Sequence, residues 1–153
     1  MRLSRRALLA IVIALPVAGT IARPARANEP PIYAPGGIAI SGYDPVAYFT
    51  QHEPLRGTPE HSLWWRGAMW YFVNSENQQR FEMNPAAYAP RYGGYCAYAM
   101  SRGTILSSAP EAFTVHNGAL YLTHSTAFRA IWRQDIDGNI RKADANWPVI
   151  LRR

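Results

Sequence analysis

A single cysteine in 153 residues rules out any disulfide within this chain, so its fold must be held by packing alone. That cysteine, Cys96, stands two residues past the pair Gly93-Gly94 and within a cluster of four tyrosines, Tyr88, Tyr92, Tyr95 and Tyr98. Glycine admits positive φ or the close approach of another group. A lone thiol at such a bend is either a buried small hydrophobe or a ligand atom, and the residues alone leave both readings open.

The first 27 residues read as an export signal rather than as part of the fold. Met1 to Arg6 is a positive head, Ala7 to Ala22 is an apolar run interrupted by Pro16, Gly19 and Thr20, and Ala25-Arg26-Ala27 supplies a small-x-small cleavage pattern. Ser4-Arg5-Arg6-Ala7-Leu8-Leu9 looks like a twin-arginine signal, the alternative being an ordinary secretory one. The run is too short and broken for a membrane span, which wants about 20 apolar residues. Cleavage before Asn28 would place the mature protein in the periplasm or outside the cell.

Export changes the charge argument. Five of the 16 basic residues (Arg2, Arg5, Arg6, Arg23 and Arg26) leave with the signal and no acidic residue does, so 11 basic residues face 10 acidic ones. No basic stripe remains to recognise nucleic acid, which excludes that class of partner. About 126 residues suit one domain with a single core, and all 19 aromatic residues lie in that part.

Local patterns predict an α+β domain of short antiparallel hairpins and helices. Residues 28–37 form an extended lead-in, and 38–153 the domain with a helical C-terminal extension. Ile38-Ala39-Ile40 reads as a short strand, and Asp44-Pro45 as the cap of a helical turn through Phe49. Aromatic runs around Arg66-Gly67 predict one hairpin over 62–73, and Asn117-Gly118 predicts a second over 113–122. Ser75 to Gln78 has the form of a capping box opening a helix to Met83. Alternation over Tyr95 to Ser101 reads as a strand. Ser125 caps a helix carrying Phe128, Ile131 and Trp132, and Asp135 to Asn146 continues as helix with a break near Gly138.

These residues resemble a known family. Gly42-Tyr43-Asp44-Pro45-Val46-Ala47-Tyr48-Phe49 looks like the opening motif of exported bacterial YHS-domain proteins. Trp70-Tyr71-Phe72, Ser75-Glu76-Asn77, Phe81, Asn84-Pro85, Tyr88 and Pro90 come next in that family's order, and Tyr92 to Ala97 resembles the block closing its core. Gly118 to Leu122, Ala143-Asp144 and Asn146-Trp147-Pro148 resemble the C-terminal part of its longer members. The resemblance implies a small α+β module related to treble-clef-like metal-binding modules. The extra cysteines of the shorter members are absent, which removes a cysteine-rich zinc site.

The candidate metal ligands are Cys96, as a soft donor for copper, with Met100 and His61 as partners. On a strand Cys96 and Met100 would lie about 13 Å apart, so joint ligation would need a bend. Of the other histidines, His52, His116 and His124, none pairs at the close spacing of familiar metal motifs; His116 beside Asn117-Gly118 reads as exposed and His124 as part of a helix start. Asp44 is an acid, base or hard ligand, or else a helix cap. Trp64, Trp65, Trp70 and Tyr71 line an apolar pocket or form plain core. No nucleophile–base arrangement or phosphate loop can be placed. Three functions remain: a non-catalytic module binding a metal ion (copper favoured) or a small ligand, an interaction module for an envelope protein, and a thiol-dependent redox accessory.

Overall fold

The computed structural model describes residues 28–152. The expected export signal, residues 1–27, lies outside the described residues. The chain is α+β, with two separate two-stranded antiparallel hairpins embedded among short helices. Among the described residues no helix is long and apolar enough to cross a membrane.

After the lead-in, two tight turns at Pro35–Gly37 and Ala39–Gly42 precede helix α1, Ala47–Thr50. The strand expected at 38–40 does not form. Ile40 and Ser41 both take positive φ, and only Ile38 bridges to a strand, at Met69. Ile40 is buried in the core, so its side chain is satisfied by packing while its backbone turns.

The first hairpin joins β1, Thr58–Trp65, to β2, Ala68–Phe72, with Trp65 opposite Ala68 and Leu63 opposite Trp70. Arg66 and Gly67 both have positive φ, as the two-residue turn that matches strand twist demands. Helix α2, Ser75–Met83, is capped by Asn74 rather than Ser75: Asn74 Oδ1 accepts from the Asn77 amide at 2.8 Å. Helix α3, Pro85–Tyr88, adds one turn started by its proline.

The glycine block turns at Arg91–Gly94 and then becomes helix α4, Ala97–Ser101, where the sequence pattern predicted a strand. Cys96 is the cap, its Sγ accepting from the Ala99 amide at 3.4 Å, and the Met100 amide donates to the Cys96 carbonyl at 2.9 Å. Alternation of Tyr and Ala imitates a strand, but the alanines at 97 and 99 favour helix and the cap sets its start.

The second hairpin matches expectation, with β3, Ala109–His116, paired to β4, Ala119–Thr123, across Asn117-Gly118. Helix α5, Thr126–Trp132, is capped by Ser125 as expected, and α6 spans Ile136–Asn146. The break between them falls at Arg133–Asp135 and not at Gly138. Asp135 caps α6 by accepting from the Gly138 amide, and a Cβ at 138 would collide with that carboxylate. The glycine therefore makes room for a cap, inside a continuous helix. The Trp147-Pro148 peptide beyond it is cis.

Two apolar clusters, rather than one core, share strand β4. Leu120 and Leu122 enter a cluster with Ile40, Val46, Tyr48, Trp70, Phe72 and Phe81. Ala119 and Tyr121 enter the other, with Tyr92, Tyr95, Met100 and Trp132. Successive strand side chains point to opposite faces, so one fully buried strand serves both.

Candidate functional site

Asp44 resolves first, because its partners leave no room for chemistry. It is fully buried, and one carboxylate oxygen accepts from the Val46 amide at 2.8 Å and the Ala47 amide at 3.2 Å. The other accepts from the Val73 amide at 2.9 Å and from Asn77 Nδ2 at 2.7 Å. The helix-cap reading of the sequence holds and extends further. One carboxylate ties α1, the end of β2 and α2 together.

Cys96 and Met100 are brought onto one short helix, one turn apart, and both are fully buried. Burial pushes the Cys96 thiol above its ordinary range, opposed by backbone amides of Ala99, His124 and Tyr98. His61 is half-buried on β1, which packs on β2 and α2, whereas α4 packs on α5, α6 and β4. The three sequence-derived ligands thus divide between the two halves of the molecule. Among the described residues no three His, Cys, Asp or Glu side chains gather to hold a metal ion. A copper(I) site wants a thiolate, which burial of this sulfur disfavours, and the Ala99 amide already donates to it. The structure thus brings Cys96 and Met100 together and leaves His61 on the first hairpin.

The expected result is that native Cys96 resists alkylation by iodoacetamide over hours and reacts within minutes once the protein is denatured. Copper(I) affinity should be the same in the parent and in Cys96→Ser. Rapid native labelling, or a loss of copper binding in the variant, would overturn this account of the thiol.

The other histidines are peripheral. His116 Nε2 lies 3.1 Å from Asp137 Oδ1, and His124 Nδ1 lies 3.1 Å from Ser107 Oγ. Both contacts are exposed. His124 Nδ1 also lies 3.2 Å from the Ser107 carbonyl oxygen, so the ring nitrogen is shared between the hydroxyl and the backbone.

A concave feature of the surface lies elsewhere, where the lead-in, the first hairpin turn, the glycine block and the C-terminal segment meet. It is an open groove of about 660 Å³, within the range of small-molecule sites. Trp65 and Trp147 supply its aromatic surface, Ile32 and Leu151 add aliphatic surface, and Arg66 and Arg91 are its charged residues. The Arg66 guanidinium sits over the Trp65 ring, 4.6 Å from its centroid. Among the described residues no carboxylate lines the groove. The ion pairs found among the described residues, Arg80–Glu76 and His116–Asp137, involve neither arginine.

The aromatic wall is held from behind. Trp147 meets Tyr92 edge-on at 6.2 Å and Tyr95 at 6.5 Å. The Tyr92 hydroxyl donates to Asp144 Oδ1 at 2.9 Å, and that of Tyr95 to the Pro30 carbonyl at 3.0 Å. Burial raises both phenols, Tyr92 the more because the Asp144 carboxylate also opposes its ionisation, and Tyr95 to about 12. Both stay neutral at physiological pH and serve as fixed props.

Of the four aromatic residues suggested for a pocket, only Trp65 lines this groove. Trp70 is fully buried core, Trp64 is 62% exposed, and Tyr71 packs beside Gly42. Trp147, Arg66 and Arg91 carried no sequence signal as groove residues, because they stand far apart in the chain. Comparison with family models, curated proteins and solved structures finds no match to this chain.

Proposed function

We propose that this chain is an exported, non-catalytic YHS-like module that binds a small organic ligand in the groove between Trp65 and Trp147. The observation that carries this reading is an apolar concavity, backed by buried aromatic props, that holds two arginines without a carboxylate. Groups that could do covalent chemistry are committed elsewhere. Asp44 is saturated by four donors and Cys96 is sealed as a helix cap.

The test is a thermal-shift screen of the purified protein against a few hundred small organic compounds of varied charge, with tryptophan emission as the second readout. Binders should raise Tm and shift emission, and Trp147→Ala should weaken them. If no compound binds the folded protein, the ligand reading fails and the envelope-interaction reading replaces it.

A further inference from the structure

Resting on that reading, we infer that the ligand is an amphiphilic carboxylate, its anionic end on Arg66 and Arg91 and its apolar body on Trp65, Trp147 and Leu151. Among the described residues the groove is lined by two arginines and no carboxylate, and neither arginine is in an ion pair, a charge balance that favours an anion. Arg66 is positioned to meet it. Its backbone is fixed in a two-residue turn with φ of 49°, and its guanidinium carbon lies over the Trp65 ring. A guanidinium placed over a ring is held by cation–π attraction, and its N–H donors form the fork that a carboxylate fits.

The remaining walls decide what the rest of the ligand is like. Pro31, Ile32, Pro90, Trp147, Pro148 and Leu151 present mainly apolar side chains. A multiply charged, highly hydroxylated anion would lose hydration on that surface without recovering hydrogen bonds. One charged end joined to an apolar chain or ring satisfies both parts of the groove. Two acidic residues adjoin the lining without being part of it: Asp144 is engaged by the Tyr92 hydroxyl, and the Glu29 amide donates to the Leu151 carbonyl.

The experiment titrates the full chain with decanoate, decanol and decyltrimethylammonium below their micellar concentrations, monitored by tryptophan emission and calorimetry. The Arg66→Ala/Arg91→Ala variant and the Arg66→Lys variant are titrated alongside, with far-UV circular dichroism to show that the exposed substitutions leave the fold intact. Decanoate should bind about tenfold or more tightly than decanol, roughly what one charge-assisted hydrogen bond is worth. That advantage should vanish in the double variant while decanol binding stays the same. Arg66→Lys should retain only part of it.

Equal binding of decanoate and decanol, or an unchanged decanoate affinity in the double variant, would overturn the carboxylate inference and leave the groove as a ligand site. Binding to phosphatidylglycerol vesicles through the same arginines, with none to free decanoate, would overturn it in favour of a membrane surface. No binding by any of these probes, together with a blank thermal-shift screen, would remove the ligand reading itself.

Discussion

Asp44→Ala should cost at least about 4 kcal/mol of folding free energy, enough to leave the protein partly unfolded at room temperature. The substitution strips the acceptor from three backbone amides and from Asn77 Nδ2, all converging on one buried carboxylate. Each buried donor left without a partner costs about 1–3 kcal/mol, and domains of this size have about 5–15 kcal/mol in total. Asp44→Asn separates charge and shape from hydrogen bonding. Its carbonyl oxygen can keep the Val46 and Ala47 amides, but its NH₂ then faces the Val73 amide and Asn77 Nδ2, donor against donor. That variant should lose about 2 kcal/mol. Urea denaturation of the three proteins gives the answer, and an Asp44→Ala stability within about 1 kcal/mol of the parent would mean that the brace is not what holds α1, β2 and α2 together.

Gly93→Ala is the second large effect, expected at about 2–4 kcal/mol. Gly93 has φ of 62°, and a Cβ there would collide with the Pro31 carbonyl oxygen and press on the Trp147 ring at 3.2 Å. Backbone cannot step aside as the end of a flexible side chain can. The Gly93 carbonyl also accepts from the Tyr33 amide at 2.9 Å, so the lead-in would come away from its seat. The loss should therefore appear both as lowered Tm and as early proteolytic cleavage between residues 28 and 37. Gly118→Ala is the control. Its φ of 73° carries the same backbone penalty, but nothing lies within 4 Å of the added carbon. About 1 kcal/mol is expected there. Equal effects at the two glycines would show that the close approach at Gly93 is unimportant.

The glycine block illustrates how much local pattern can and cannot disclose. Positive φ at Gly93 and Gly94 is expected from residue type, whereas that of Tyr92 is not. The reason for glycine at 94 was not legible, because the atom that excludes a side chain is Ile40 Cγ2, 2.5 Å from where the Cβ would stand and 54 residues earlier. Local pattern also misleads over the segment beyond the glycines. Tyr-Cys-Ala-Tyr-Ala-Met alternates like a strand, yet a sulfur cap and two alanines make it helix. Cys96 and Met100 are thereby one turn apart instead of about 13 Å.

Both hairpin turns, the caps at Asp44 and Ser125, the helix after Asn74 and the α+β class were determined by the sequence itself. Each rests on interactions between residues a few positions apart, which a linear reading contains. Tertiary structure alone decided that β4 would divide its faces between two cores, and that Asp44 would reach Val73 and Asn77. It also decided that Cys96 and Met100 would share one short helix while His61 stayed on the first hairpin, and that Trp65, Arg66, Arg91 and Trp147 would form a groove. These relations join side chains tens of residues apart, and their geometry exists only once the aromatic core has closed. For a chain with no disulfide to announce its long-range contacts, packing carries that information and local pattern does not.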